Sequence, residues 1–180
     1  MLTVNLPEGY LARHERIAIE RDAGNFLLPV TIVEDNGLVR LIYRTDGFVA
    51  LRDHDFHGDL YRVFRTVKGY AAMIYKAQDM LLRPDRIFLS GDRVFVSSDD
   101  CGVRIVYGAL CEEVSAYGAY TKALMPILAE LSTKVGITGT KAAMTQLAKK
   151  MKAVNPDYEA AIRLIESVER RWNYMQPVGP

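Results

Sequence analysis

Val30 and Ile32, then Val39, Leu41 and Tyr43, alternate with polar or smaller residues on either side of Asp35-Asn36-Gly37. Alternation puts one face of a strand on a core, and Asn-Gly accepts positive φ at little cost. The segment therefore predicts a β-hairpin over 29–34 and 38–44, with the next turn at Asp46-Gly47. From about 55 to 78 the period changes. Leu60, Val63, Phe64, Val67, Tyr70, Ala71, Ile74 and Tyr75 recur at three- and four-residue steps, which predicts a long helix with one apolar stripe. Asp53, Asp55 and Asp59 crowd its start, where carboxylates suit the positive end of the helix, and Pro84 prevents continuation. Upstream, YLARHERIAIER over 10–21 fits a short helix. Tyr10, Leu11 and Ile17 would face inward, with Arg13, Glu15, Arg16 and Glu20 toward water. Because Arg16–Glu20 also alternates, a strand is the other reading there.

The second half predicts a small antiparallel meander of strands near 87–89, 93–97 and 103–107, with turns at 90–92 and 98–102. Helices follow. Residues 115–134 carry Tyr117, Tyr120, Leu124, Ile127, Leu128 and Leu131, with Pro126 as a kink. A basic helix covers 138–153. The last helix runs to about Trp172 from Asn155-Pro156, read as a cap followed by proline at the first helical position. The order of elements is α+β and not a regular βαβ alternation.

Composition narrows the function classes. The chain has 180 residues and is 49% hydrophobic, enough to bury a core. Its 23 Lys and Arg nearly cancel 22 Asp and Glu, which argues against nucleic acid as a partner. No apolar run approaches the ~20 residues of a membrane span, and no signal peptide is evident. Cys101 and Cys111 form neither a Cys-x-x-Cys motif nor a disulfide framework, so a reducing cytoplasm is expected. They lack a His base in sequence context. The ending MQPVGP reads as the start of a linker in a longer protein.

LLRPDRIFLSGDRVFVSSDDCG, residues 81–102, resembles the catalytic segment of protein kinases, where an Asp and an Asn lead through an apolar strand to Asp-Phe-Gly. Phosphoryl transfer needs more than that segment. Gly-x-Gly-x-x-Gly and the P-loop motif are both absent, and Val39–Arg44 reads VRLIYR where a strand lysine would be needed. Anchored on Pro84, the register puts Leu81 at the catalytic Asp and Arg86 at the metal-binding Asn. Asp79 lies two residues out of register. Leucine cannot accept a proton, and arginine repels magnesium. Asp100-Cys101-Gly102 falls between two strand-like runs and reads first as a turn.

Three segments in order resemble an uncharacterised bacterial domain found N-terminal to forkhead-associated (FHA) domains. They are GNFLLPVTIVEDNGLVRLIYRTDG, MLLRPDRIFLSGDRVFVSSDDCGVRIVYG and the helices that follow, spanning about 10–172. That family is similar to the degenerate, pseudokinase part of the EssB/YukC subunits of type VII secretion systems. The resemblance implies a reduced protein-kinase-like architecture over 1–174. A small β-containing lobe would cover 1–53 and a mainly helical lobe 54–174, with the linker beginning at 175–180. It also implies no catalysis, no cofactor, and a protein partner in a bacterial signalling or secretion-associated assembly.

Other constellations are weighed beside this. DHDFHGD places His54, Asp55, His57 and Asp59 within six residues, the best metal-like cluster in the chain. A polar loop and an acidic helix start explain the same letters, and no Glu-x-x-His or distant third His supports a metal, so none is expected. His14 sits among charges. Tyr61, Tyr70, Tyr75, Tyr117 and Tyr120 read as core or as a protein-binding face. Lys141, Lys149, Lys150 and Lys152 read as a solvated face, with phosphate or acidic lipid as the alternative. The expected function is a non-catalytic interaction module. The alternatives are a pseudokinase that binds nucleotide without magnesium, and a small metal-dependent enzyme.

Overall fold

The computed structural model describes residues 1–22, 25–83, 86–87, 90–108, 120–134 and 136–173. The protein is α+β. Among the described residues the order is β1 (Leu2–Pro7), α1 (Arg13–Asp22), β2 (Val30–Asp35), β3 (Leu38–Tyr43), β4 (Phe48–Ala50), α2 (Leu60–Asp79), β5 (Val94–Ser97), β6 (Val103–Ile105), α3 (Tyr120–Ser132), α4 (Thr140–Val154) and α5 (Tyr158–Asn173). The strands form two three-stranded antiparallel sheets, ordered β1-β3-β2 and β4-β5-β6.

The predicted hairpin forms. Asn36 and Gly37 have φ of 49° and 76°, and Asp35 pairs with Leu38 across them. Two central residues at positive φ give the turn whose twist matches paired strands. Val39, Leu41 and Tyr43 are buried. With Val4, Leu6, Leu28, Phe95 and Val106 they build one core cluster. β1 was not anticipated, although Leu2, Val4 and Leu6 alternate; it pairs along the whole of β3.

The second sheet differs from the expected meander. Its outer partner is β4, which pairs Val49 with Val96. Ile87 instead bridges Tyr107, while Phe88 and Leu89 of the expected strand lie outside the described residues.

The main core surrounds α2, which packs on α3, α5 and β6. Its stripe from Leu60 to Ile74 is buried as the period requires, and Tyr75 is the exception at 48% exposed. The helix starts at Leu60, later than the expected 55, because Asp59 caps it by accepting the Tyr61 N–H at 2.8 Å. Gly69 sits inside α2 because a Cβ there would come within 3.1 Å of Val103 on β6. Asn155 is not the cap of α5: it ends α4 at φ 46°, and Asp157 caps α5 by accepting the Ala160 N–H at 2.8 Å. No helix among the described residues is long and apolar enough to cross a membrane.

Candidate functional site

α1 carries the largest departure from the sequence reading. Glu15 was expected to face water and is fully buried, whereas Ile17, expected inside, is 39% exposed. The reason is a set of polar partners that the pattern of α1 alone cannot show. Glu15 occupies the third helical position, and its Oε2 accepts the Ala12 N–H at 2.7 Å, which satisfies a helix-start donor. The same oxygen accepts from Arg86 Nη1 at 2.7 Å, in an ion pair with both side chains buried. The Tyr107 hydroxyl donates to Glu15 Oε1 and accepts from the Arg83 N–H at 3.1 Å. Tyr43, on β3, donates its hydroxyl to the Tyr107 carbonyl at 2.8 Å. The Arg86 guanidinium also lies 3.9 Å from the centre of the Tyr10 ring, a close cation–π distance. Burial raises the pKa of Tyr107, helped by the hydrogen bond to Glu15, and burial likewise raises that of Tyr43. These phenols are neutral donors under ordinary conditions.

This arrangement includes residues of the 81–102 segment. Arg86, which the sequence reading set against a metal-binding Asn, has its charge neutralised by Glu15. Leu81, which the sequence reading set against a catalytic Asp, is 68% exposed at φ 57°. Asp100 lies in the turn between β5 and β6, where its Oδ1 accepts the Gly102 N–H at 2.9 Å. That hydrogen bond is the main reason its pKa is lowered. Cys101 follows at φ 56° and is buried, and desolvation raises its thiol pKa. A buried thiol with a raised pKa is a poor nucleophile.

The His54–Asp59 segment splits in two directions. His54 is buried with its ring edge-on to Phe56, the centroids 4.6 Å apart. His57 is exposed at φ 53°, its Nδ1 3.3 Å from Asp55. Asp55 also accepts the His57 backbone N–H at 2.7 Å, and Asp59 is engaged at the start of α2. Lys134, which sequence reasoning missed, donates to the carbonyl oxygens of Arg52 and, at 3.2 Å, His54. Burial lowers the His54 pKa, and the charge of Lys134 adds to the effect. Among the described residues no three His, Cys, Asp or Glu side chains converge to hold a metal.

Two open recesses lie on the helices. One is lined by Tyr75, Gln78, Tyr120, Asp157, Tyr158 and Glu159, with a volume of about 420 Å³. Tyr75 and Tyr158 stack there at 4.4 Å, and Tyr120 donates its hydroxyl to Gln78 at 3.1 Å. Of the tyrosines singled out in sequence, Tyr70 is core, Tyr61 is exposed away from this recess, and Tyr117 lies outside the described residues. The second recess lies between α3 and α4, beside Lys149 and Lys152. Compared with known proteins, the chain matches no family model and no curated protein.

Proposed function

We propose that the chain is a non-catalytic protein-interaction module, a reduced kinase-like domain of the type that stands N-terminal to FHA domains. It would serve a bacterial signalling or secretion-associated assembly in the cytoplasm, without a cofactor. One observation carries the reading: Arg86, in the register of a magnesium ligand, is a buried cation locked to Glu15 and stacked on Tyr10. A metal brought to that position would meet a guanidinium that the surrounding fold needs. The exposed Leu81 and the Asp100 turn support the same reading.

Thermal melting with ATP, ATP plus magnesium, and zinc tests it, together with transfer of labelled γ-phosphate from ATP. The expected result is no shift and no transfer. Phosphotransfer by a clean preparation overturns the proposal. A shift with ATP that ignores magnesium replaces it with nucleotide binding without transfer. A zinc shift abolished by both His54→Ala and His57→Ala replaces it with a metal-dependent function.

A further inference from the structure

The groove between α3 and α4 combines an apolar floor with an unpaired basic rim. Met125, Leu128 and Ala129 of α3 face Met144 and Ala148 of α4 across an open space of about 430 Å³, and Lys149 and Lys152 stand at its edge. On α4, Lys141, Thr145, Lys149 and Lys152 recur at three- and four-residue steps, so they share one stripe.

α4 carries four lysines and no acidic residue, in a chain whose net charge is only +1. None of the four is paired with a carboxylate among the described residues. The negative end of a helix can stabilise lysines in its last turn. It cannot account for Lys141, which stands in the first turn, where a cation is unfavourable.

We infer that this groove docks an acidic amphipathic helix of a partner protein. The apolar face of such a helix would lie on the half-buried Met125, whose unbranched side chain adapts to varied shapes, and on Ala129 and Ala148, with Leu128 and Met144 forming the layer beneath. Its carboxylates would meet the lysine stripe. Small Ala129 and Ala148 let a second helix approach closely. One feature favours a peptide over phosphate or a lipid headgroup. Neither α3 nor α4 contains arginine, the side chain suited to bidentate phosphate contacts.

The inference rests on the interaction-module reading, and its test separates the two. The whole 180-residue chain is titrated with a panel of helical peptides of about 15 residues, leucines on one face and glutamates flanking it. Binding is read by fluorescence anisotropy and by shifts of the methionine methyl groups. At least one peptide is expected to bind, to move Met125 and Met144, and to weaken with added salt. Lys149→Glu with Lys152→Glu should weaken it at least about tenfold without lowering the melting temperature. Ala148→Trp should block the groove independently and serves if the charge variant folds poorly.

No binding by any peptide, or binding indifferent to both variants, overturns the inference. So does lysine-dependent binding to phosphatidylserine vesicles without peptide binding. A self-associated dimer dissolved by the charge variant makes a second copy the occupant and overturns it too. An ATP-inert chain that binds no peptide loses the groove but keeps the module reading. A chain that transfers phosphate loses the module reading whatever the peptides do.

Discussion

Glu15 and Arg86 meet in the interior from positions far apart in the chain, whereas Asp55 and His57 meet at the surface from within one loop. Both bring a carboxylate within hydrogen-bonding distance of a nitrogen-bearing side chain. Their settings are opposite. Glu15 has three donors around it and is fully buried, so each donor is part of the reason that α1, Tyr107 and Arg86 stay together. The Asp55 and His57 side chains are 76% and 68% exposed, and solvent can replace each for the other. The surface group spells a ligand motif and holds only a loop, while the buried group spells nothing and ties α1 to Arg86 and Tyr107.

The sharpest way to break that contrast is Arg86→Ala. It leaves a buried carboxylate without its cation, which costs about 3–5 kcal/mol in comparable buried pairs. Urea unfolding should show the loss, and a change below about 1 kcal/mol would remove the distinction between the two pairs. Replacing both partners, as Glu15→Gln with Arg86→Met, should recover part of the stability, because no uncompensated charge then remains. Next in size is Tyr107→Phe. It deletes the donor to Glu15 and the acceptor of the Arg83 N–H, for an expected loss of about 1–3 kcal/mol in the same unfolding measurement.

Local signals explain which parts of this molecule were legible. Asn36-Gly37 and the alternation of Val39, Leu41 and Tyr43 carry the hairpin within a few residues, and the α2 stripe carries its own period. Leu2, Val4 and Leu6 carried a strand in the same way, so β1 was readable and overlooked. β4 has three residues, too few for alternation to register, and its pairing with β5 is long-range. Glu15 was unreadable for a stronger reason. On α1 alone it is one more charge among Arg13, Arg16 and Glu20, and its buried partner stands 71 positions away. At the candidate metal cluster the composition was legible and the directions were not. The positive φ of His57 turns the chain between a buried imidazole and an exposed one.

The two histidines of that cluster extend the comparison to pH. Burial holds the His54 pKa below its ordinary 6.5, with Lys134, Arg62 and His57 adding repulsion and Asp55 opposing it. The unfolded chain therefore binds the proton more readily than the folded one. The associated stability is present above pH 6.5 and is lost as pH falls through the window between 6.5 and the lower folded pKa. Unfolding curves taken down that window should show stability falling, with a shallower slope in His54→Leu. An unchanged slope would mean that His54 titrates as though exposed.

His57→Ala should have the smallest effect, within about 0.5 kcal/mol of no change, as expected for a surface substitution. It removes an imidazole whose partner Asp55 stays hydrated, so no buried group is orphaned. The backbone bond from the His57 N–H to Asp55 survives the substitution, since it does not involve the ring. The one opposing term is the positive φ of 53°, which alanine tolerates no better than histidine, and His57→Gly relieves it. His57→Gly should therefore equal or slightly exceed the wild type in melting temperature. A large loss in His57→Ala, together with a zinc stabilisation of the wild type that this variant abolishes, would place the surface group, rather than the Glu15–Arg86 pair, at the centre of what this protein does.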